Sequence, residues 1–346
     1  MKLIGSTLAL ALAGVLGAGV AQAEQITGAG ATFPAPVYSA WGEAAKAAAG
    51  IELNYQAIGS GAGQTQILNR TVDFGASDAP MAPEKLESGK LLQFPSVMGA
   101  EVAIVNLPGI KPGELKLTGE LLAEIYLGKI TKWNDPQLVE LNRGLALPGI
   151  AIAPVYRADG SGTTYVWTSY LSAVSPDWKS VVGAATSVKW PAGNGAKGND
   201  GVAATVRQVK GAIGYVEFAF AAKNGLTYSQ LRNKAGVFVQ PTLETFSAAA
   251  GNGDWAGAKN YAVSLIDTQG EKSWPIVSAT FIELPKDPKD AARSAAVMKF
   301  FDWAYKDGAQ IASGLQYVPL PTAVQDAVRS SWRSEIKAPD GAAIYK

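Results

Sequence analysis

The chain has 346 residues and contains neither cysteine nor histidine, which excludes thiol nucleophiles, Ser-His-Asp triads, zinc sites with His or Cys ligands and iron–sulfur clusters. Its composition, 48% hydrophobic and 17% charged, is typical of a globular protein and argues against disorder. The 30 basic and 29 acidic residues nearly cancel, so the overall charge does not favour nucleic acid or an anionic membrane as a partner, and any anion affinity must come from a local site.

Residues 1–23 have the pattern of a secretory signal peptide. Met1-Lys2 precedes an apolar run at 3–20, and Ala21-Gln22-Ala23 is a small-residue cleavage pattern. A transmembrane anchor is the alternative, but the run is rich in Ala and Gly and lacks a basic stop-transfer flank. We therefore expect cleavage after Ala23 and a soluble exported protein with no direct membrane anchor.

Strand-like and helix-like segments alternate along the rest of the chain. The apolar patterns predict strands at 51–58, 72–77, 101–106 and 151–156, and helices at 37–49, 64–69, 117–127 and 290–306. This alternation indicates an α/β fold, and the length after residue 23 exceeds what one core usually organises, which indicates two domains. The extended segments 99–106 and 275–283 are the best candidates for crossings between those domains.

Two stretches join glycines and a hydroxyl residue to the start of a predicted helix. In residues 28–36, prolines suited to the first helical turn follow Thr32, so that Thr32 and the backbone N–H of Phe33 would face an anion. In residues 59–63, Ser60 can donate both its hydroxyl and its backbone N–H. An ordinary capped helix start is the alternative for the first stretch.

A third stretch, residues 157–163, adds charge to the same chemistry. Arg157 offers a planar fork for two oxygens of an oxyanion. Ser161, Gly162 and Thr163 add two hydroxyls and free backbone N–H groups at a helix start. Asp159 would either orient the arginine fork or cap the helix through Ser161 and Gly162. The alternative is a surface ion pair beside an ordinary helix cap.

Asp78 lies at the carboxyl end of a predicted strand, where ligands of open α/β sheets bind. Its alternative role is that of a turn residue that caps local backbone. A carboxylate in an anion site becomes favourable if the anion carries a proton that it can donate. Phosphate carries such a proton at neutral pH and sulfate does not. Together the stretches predict a tetrahedral oxyanion, phosphate, held without a metal.

The glycine-rich stretches of this chain match the known nucleotide-binding fingerprints poorly. Gln64 occupies the third glycine position after residues 59–63, and no Gly-x-x-x-x-Gly-Lys-Ser/Thr string occurs. Residues 193–198 fit G-x-G-x-x-G, with Glu217 at a suitable distance, but they follow Trp190-Pro191 instead of a strand. We therefore predict a turn-rich loop at 193–198.

The chain resembles the periplasmic phosphate-binding proteins of bacterial phosphate-specific (Pst) ABC transporters. The matching strings include Val72-Asp-Phe-Gly-Ala-Ser-Asp-Ala-Pro80 and Arg157-Ala-Asp-Gly-Ser-Gly-Thr163, and others lie at 27–38, 125–130, 197–201, 211–217 and 299–306. The resemblance implies a type II periplasmic-binding-protein fold, with phosphate enclosed between two α/β lobes joined by a two-segment hinge. Lobe I would comprise residues 24–99 and 277–346, and lobe II residues 100–276.

The resemblance also implies the roles of individual residues. The phosphate ligands would be Thr32, Phe33 through its backbone, Ser60, Asp78, Arg157, Ser161, Gly162 and Thr163, with Asp159 bracing Arg157. Two departures are visible: Tyr156 stands where relatives often carry a second basic residue, and Gly61-Ala62-Gly63 varies the usual Ser/Gly loop.

The implied protein is a monomeric receptor, not an enzyme, without metal or cofactor. It would deliver inorganic phosphate to the permease subunits of an inner-membrane ABC transporter. The alternatives are a secreted phosphatase-like enzyme on the same fold and a receptor for another oxyanion or a sugar.

Overall fold

The computed structural model describes residues 23–345, so residues 1–22 of the expected signal peptide lie outside the described part. The strands are β1 Glu24–Gly30, β2 Ile51–Ala57, β3 Phe74–Ser77, β4 Leu91–Val105, β5 Lys116–Leu117, β6 Ala153–Arg157, β7 Asn194–Ala196, β8 Ala212–Glu217, β9 Thr227–Tyr228, β10 Gln230–Arg232, β11 Phe238–Val239 and β12 Val277–Pro285. The helices are α1 Ala35–Ala49, α2 Ser60–Leu68, α3 Pro83–Ser88, α4 Gly119–Tyr126, α5 Pro136–Leu141, α6 Gly162–Val174, α7 Pro176–Val181, α8 Gly198–Gln208, α9 Phe218–Lys223, α10 Leu243–Ala250, α11 Ala291–Lys306, α12 Ala309–Gly314 and α13 Thr322–Glu335, with a short 3-10 helix at Lys259–Tyr261.

Nine strands form one mixed sheet in the order β2-β1-β3-β12-β4-β8-β6-β7, with β9 beside β4. The long strand β4 pairs with β12 up to Ala100 and with β8 from Glu101 onward. We call the strands on the β12 side of this switch, with their helices, the first half of the fold, and those on the β8 side the second half. Strand β12 begins at Val277, opposite Ala100. The chain therefore passes between the halves at two adjacent places, within β4 and just before β12.

Each half is organised by buried aromatic side chains and helices packed on the sheet. Helix α11 is capped by Asp290, whose side chain accepts a hydrogen bond from the N–H of Arg293, and it buries Phe301 against Phe74 of β3. In the second half, Trp167 of α6 stacks on Tyr215 of β8 with ring centroids 4.9 Å apart. These contacts fix the helices against the sheet, and α6 is the one of the two that begins at the site. Among residues 23–345, no helix has the length and apolar character needed to cross a membrane.

Most predicted elements agree with the structure to within about two residues at their starts, but two begin much earlier than predicted. Helix α2 begins at Ser60, four residues before the predicted start, because the glycine-rich loop itself forms the first turn. Strand β4 begins at Leu91, ten residues before its predicted start. Its proline, Pro95, lies at a register shift opposite Phe281, a place where a strand tolerates a residue without an N–H group.

The prediction of a turn-rich loop at 193–198 is wrong. Residues Asn194–Ala196 form the edge strand β7, parallel to β6, and α8 begins at Gly198. The strand is short and exposed, so no apolar pattern marks it, and only its pairing with β6 defines it. This strand-to-helix connection brings Asn199 into the site described below.

Candidate anion-binding site

The predicted site residues converge where the two halves of the fold meet. The first half contributes the loop after β1, the start of α2 and the residue after β3, and the second half contributes the end of β6 and the start of α6. The nine predicted residues are Thr32, Phe33, Ser60, Asp78, Arg157, Asp159, Ser161, Gly162 and Thr163. Asp159 is partly exposed, and the other eight are buried. The structure thus brings together all nine residues singled out from the sequence.

Direct contacts join the two halves at this point. The Oγ of Ser60 accepts hydrogen bonds from the N–H of Gly162, at 3.0 Å, and from the N–H of Asp78, at 3.4 Å. Beside them, the N–H of Gly61 donates to the carbonyl of Gly160 at 2.9 Å. The halves are therefore closed on one another, with main chain against main chain.

Two glycines permit this close approach. A Cβ atom added to Gly162 would lie 2.6 Å from both Asp78 Oδ2 and Ser60 Oγ, far inside van der Waals contact. One added to Gly63 would lie 2.4 Å from the Cα of Gly30, where α2 packs on β1. In the unusual sequence Gly61-Ala62-Gly63, the last glycine therefore has a packing role independent of any ligand.

Arg157 is held by a carboxylate and a hydroxyl. Its Nε and one terminal nitrogen donate to the two oxygens of Asp159, at 2.8 and 2.5 Å, and its Nη1 donates to Thr163 Oγ1 at 3.1 Å. A guanidinium has five N–H groups, so two remain for an anion. The helix cap is a different residue: Ser161 Oγ accepts from the N–H of Thr164 at 3.0 Å. Asp159 therefore orients the arginine and does not cap α6.

Partial burial tends to raise the pKa of Asp159, but the hydrogen bonds and charge of Arg157 outweigh it and hold that pKa below its ordinary value. The N–H of Gly198 also donates to Asp159 Oδ1, at 3.0 Å. Asp159 is therefore ionised and neutralises the charge of Arg157. The arginine offers an anion directed N–H groups and little net positive charge.

Asp78 supplies a buried acceptor. Its Oδ1 accepts a hydrogen bond from Thr280 Oγ1 at 2.7 Å, whereas Oδ2 has no hydrogen-bond partner within residues 23–345. Burial raises the pKa of Asp78 to about 7, while the Thr280 hydrogen bond and the charge of Arg157 act in the opposite direction. A carboxylate with one oxygen fixed and the other unpaired is suited to accept a proton from a ligand.

The site residues also provide backbone donors. The N–H groups of Phe33, Ser60 and Thr163 make no hydrogen bond to another residue in the described part of the chain. Ser60 and Thr163 lie in the first turns of α2 and α6, where N–H groups lack a partner within the helix. Aimed N–H and O–H groups of this kind bind an oxyanion without requiring net positive charge.

Three contributing residues were not identified from the sequence. Asn199 donates to Thr32 and Thr163, and Thr280 orients Asp78. Tyr317 donates to the carbonyl of Phe33 at 2.6 Å and lies 2.9 Å from Glu217 Oε2. These partners are separated by up to 284 residues along the chain, so no local pattern marks them.

Tyr156 lies outside this hydrogen-bond network. Its ring stacks on Trp190 with centroids 5.0 Å apart and planes at 12°. The departure at this position thus extends the aromatic core of the second half.

A pair of acidic side chains lies beneath the site. Glu101 of β4 and Glu217 of β8 are directly opposite one another in the antiparallel pairing, and both are fully buried. Burial raises the pKa of each well above its ordinary value, with the charge of Asp78 acting in the same direction. Two ionised carboxylates facing each other in a core would be strongly unfavourable, which favours their protonated forms.

No group of three or more potential metal ligands lies together anywhere in residues 23–345. The prediction of a metal-free site stays a prediction, supported by the chemistry of the donor set: N–H and O–H groups bind anions, whereas a hard cation needs several oxygen acceptors.

Comparisons with known proteins agree with this picture of the fold. A family model described as the PBP superfamily domain matches residues 17–307. The phosphate-binding protein PstS of Pasteurella multocida is 51% identical over 325 residues, which is 94% of this chain and 94% of that protein. The phosphate-binding protein PstS of Haemophilus influenzae is 53% identical over 317 residues, covering 92% of this chain and 95% of the relative.

Solved structures extend the likeness to the fold. The phosphate-binding protein of Stenotrophomonas maltophilia superposes with a TM-score of 0.70 at 21% identity, covering 92% of this chain and 98% of that one. The prediction of an α/β periplasmic-binding-protein fold is thereby confirmed.

Proposed function

The chain belongs to the PstS family of phosphate-binding proteins within the PBP superfamily, and we propose that it binds inorganic phosphate for import by an ABC transporter. The observation that carries the proposal is the position of Asp78 Oδ2. This buried carboxylate oxygen has no hydrogen-bond partner within residues 23–345, although N–H and O–H donors line the site around it. The donors suit the oxygens of an anion, and Asp78 suits a proton that the anion still carries.

This arrangement favours phosphate over sulfate. Phosphate donates its proton to Asp78 Oδ2 and accepts from Arg157, the threonine and serine hydroxyls and the backbone N–H groups. Sulfate has no proton to donate at neutral pH, so one of its oxygens would face the ionised carboxylate. Sites built to pair with a ligand hydroxyl reject analogues without it by roughly 10⁴–10⁵-fold.

The two halves of the fold are the proposed lobes, with residues 24–99 and 277–346 in lobe I and 100–276 in lobe II. The pairing switch of β4 between Ala100 and Glu101 supports this division, and so does the start of β12 at Val277. Because the site residues come from both sides and touch across the division, opening at these two crossings would separate Ser60 from Gly162 and release the ligand.

The protein acts as a receptor and not as an enzyme. The chain offers no imidazole or thiol to activate a nucleophile or serve as one. We further propose that it is exported to the periplasm after cleavage at Ala23, is monomeric, and passes phosphate to membrane permease subunits.

Calorimetric titration of residues 24–346 with phosphate at pH 8 tests the proposal. We expect a dissociation constant in the micromolar range or tighter, which corresponds to ~8 kcal/mol or more of binding free energy. Arg157→Ala removes charged hydrogen bonds of ~1.5–3 kcal/mol each and should weaken binding by about tenfold or more. The matched control is Arg143→Ala, because Arg143 is exposed and forms an ion pair with Glu140 on the surface, away from the site. Sulfate binding as tight as phosphate binding would contradict the proposal.

A further inference from the structure

Asn199 connects the two lobes inside the site, although it is not one of the proposed phosphate ligands. It is fully buried and is the second residue of α8, which packs on β8 and β6 of lobe II. Its backbone N–H and its Nδ2 donate to Thr32 Oγ1 of lobe I, at 3.2 and 2.8 Å. Its Nδ2 also donates to Thr163 Oγ1 of lobe II, at 3.3 Å. One amide therefore holds a threonine from each lobe.

The orientation of this amide is fixed by the main chain. The N–H of Glu217 donates to Asn199 Oδ1 at 2.9 Å. A backbone N–H can only donate, so the atom that it meets must be the carbonyl oxygen. The NH₂ group is consequently directed at the two threonines, and each of its two hydrogens has a hydroxyl oxygen as its acceptor.

Each of the two threonine hydroxyls already accepts two hydrogen bonds, so it can form a further hydrogen bond only as a donor. A hydroxyl oxygen accepts two hydrogen bonds and donates one. Thr32 Oγ1 accepts twice from Asn199. Thr163 Oγ1 accepts once from Asn199 and once from Arg157 Nη1. With both acceptor positions occupied, each O–H group is committed to donating.

We propose that Asn199 is a positioning residue for phosphate binding: its amide joins the closed lobes and commits the hydroxyls of Thr32 and Thr163 to donate to the anion. This inference rests on the proposed phosphate-binding function. Ser60 provides an internal reference, because its Oγ accepts from the N–H groups of Gly162 and Asp78 without any contribution from Asn199.

Two consequences distinguish this role from ordinary packing. First, donor hydroxyls match the acceptor oxygens of phosphate and leave Asp78 Oδ2 as the acceptor for its single proton. Second, the bonds to Thr32 cross between the lobes, so they exist only when the lobes are closed and must break before phosphate leaves. Loss of the amide should therefore raise the dissociation rate more than it lowers the association rate.

Asn199→Asp is the sharpest single substitution. Aspartate has the same size and keeps an oxygen for the N–H of Glu217, but it replaces the NH₂ donor by an acceptor. Both threonine hydroxyls would then turn toward residue 199 and away from phosphate. We expect the phosphate dissociation constant to rise by about 100-fold or more, the equivalent of losing two hydrogen bonds to a charged ligand. The matched control, Asn194→Asp, makes the same change at an exposed position of β7 and should leave binding within twofold.

A double-mutant cycle separates positioning from charge and from misfolding. Asn199→Ala adds no charge, and Thr163→Val removes one of the two hydroxyls through which Asn199 acts. Each single substitution raises the phosphate dissociation constant by some factor. If the proposal holds, the double variant raises it by a factor at least fivefold smaller than the product of the two single factors, because both substitutions disrupt one shared interaction. Circular dichroism and melting temperature verify that each variant is folded, and stopped-flow fluorescence yields the two rate constants.

The outcomes are distinct. If wild-type protein does not bind phosphate, the proposed function fails and this inference fails with it. If wild-type binds phosphate, but Asn199→Asp stays within threefold and the cycle is additive, the role of Asn199 is refuted and the function stands. A large effect of Asn199→Asp with an additive cycle also refutes it, because the added charge alone would then explain the loss.

Discussion

Replacing Asp78 by asparagine should change which anions bind more than how tightly phosphate binds. Asp78→Asn keeps the size of the side chain and an oxygen that can accept from Thr280, but removes the negative charge. For sulfate, two unit charges about 4 Å apart at an effective dielectric constant of ~20 repel by ~4 kcal/mol. Sulfate therefore binds essentially only the protonated form, which is about a tenth of the protein at pH 8 because the pKa of Asp78 is about 7. Removing the charge should tighten sulfate binding at pH 8 by about tenfold.

Phosphate should respond differently to the same substitution. It loses a hydrogen bond to a charged acceptor, worth ~1.5–3 kcal/mol, but it also loses the repulsion between its own charge and the carboxylate. These effects oppose each other, so we expect phosphate affinity to stay within about tenfold of the wild type. Competition calorimetry at pH 8, with phosphate and sulfate measured on the same preparations, checks both expectations.

The pH dependence gives a second measurement on the same pair of proteins. Burial raises the pKa of Asp78 to about 7, so the carboxyl is mostly ionised at pH 8 and mostly protonated at pH 5.5. Wild-type sulfate affinity should therefore rise by about tenfold between pH 8 and pH 5.5, following the protonated fraction. The asparagine variant should show no such rise. Sulfate affinity that is independent of pH in the wild type and unchanged in the variant would refute the reasoning.

Two further substitutions test other parts of the site, and a third tests the buried carboxyl of Glu283 in β12. Gly162→Ala puts a methyl group 2.6 Å from Asp78 Oδ2 when the lobes are closed, and since overpacking of this kind costs ~1–3 kcal/mol, we expect phosphate affinity to fall by about tenfold or more. Opening of the lobes relieves this contact in the ligand-free variant, so its melting temperature should stay close to that of the wild type. Full affinity in a calorimetric titration would contradict the close contact. Thr280→Val removes the hydrogen bond that lowers the pKa of Asp78. A rise of about one pKa unit would increase the protonated fraction at pH 8, and with it the sulfate affinity, by about fivefold; an unchanged sulfate affinity would argue against this role. Burial raises the pKa of Glu283 to about 8. Ionisation of this carboxyl at high pH therefore destabilises the fold. Glu283→Gln should raise the free energy of unfolding by up to ~5 kcal/mol at pH 9, with little change at pH 5. Urea unfolding at both pH values measures this, and an equal effect at both would exclude the carboxyl charge as its cause.

The part of the site made of local chain segments was predictable from the sequence. Arg157, Ser161 and Thr163 lie within seven residues of one another, and the geometry of a helix start determines where their N–H and O–H groups point. The ambiguity of Asp159 was resolved by the structure, because both of its alternatives were locally feasible and only side-chain positions distinguish them.

The residues that hold the site in position were not predictable in this way. Thr280 meets Asp78 across 202 residues of sequence, and Asn199 meets Thr32 across 167. Both depend on how strands are ordered in the sheet, which a hydrophobic pattern does not specify. Asn199 was further obscured because β7 is too short and exposed to be recognised, so the helix start that carries Asn199 was assigned to a loop.

The long strand β4 shows a similar limit in the fold. Its first ten residues include Gln93, Pro95 and Ser96, which break an apolar pattern although every one of them is buried. Gln93 and Ser96 are satisfied by hydrogen bonds to Asn260 and Thr280, and Pro95 sits at the register shift. Polar groups that find partners in the folded state look like loop residues in the sequence.

The central claim is that a buried carboxylate accepts the proton of phosphate, and a crystal structure of the phosphate complex at pH 8 tests it most directly. The account predicts one phosphate oxygen within ~2.5–2.7 Å of Asp78 Oδ2, the length of a hydrogen bond between a hydroxyl and a charged oxygen. The remaining oxygens should accept from Arg157, the hydroxyls of Thr32, Ser60 and Thr163, and the neighbouring backbone N–H groups. Phosphate bound elsewhere, or with its nearest oxygen beyond ~3.5 Å from Asp78, would contradict the account.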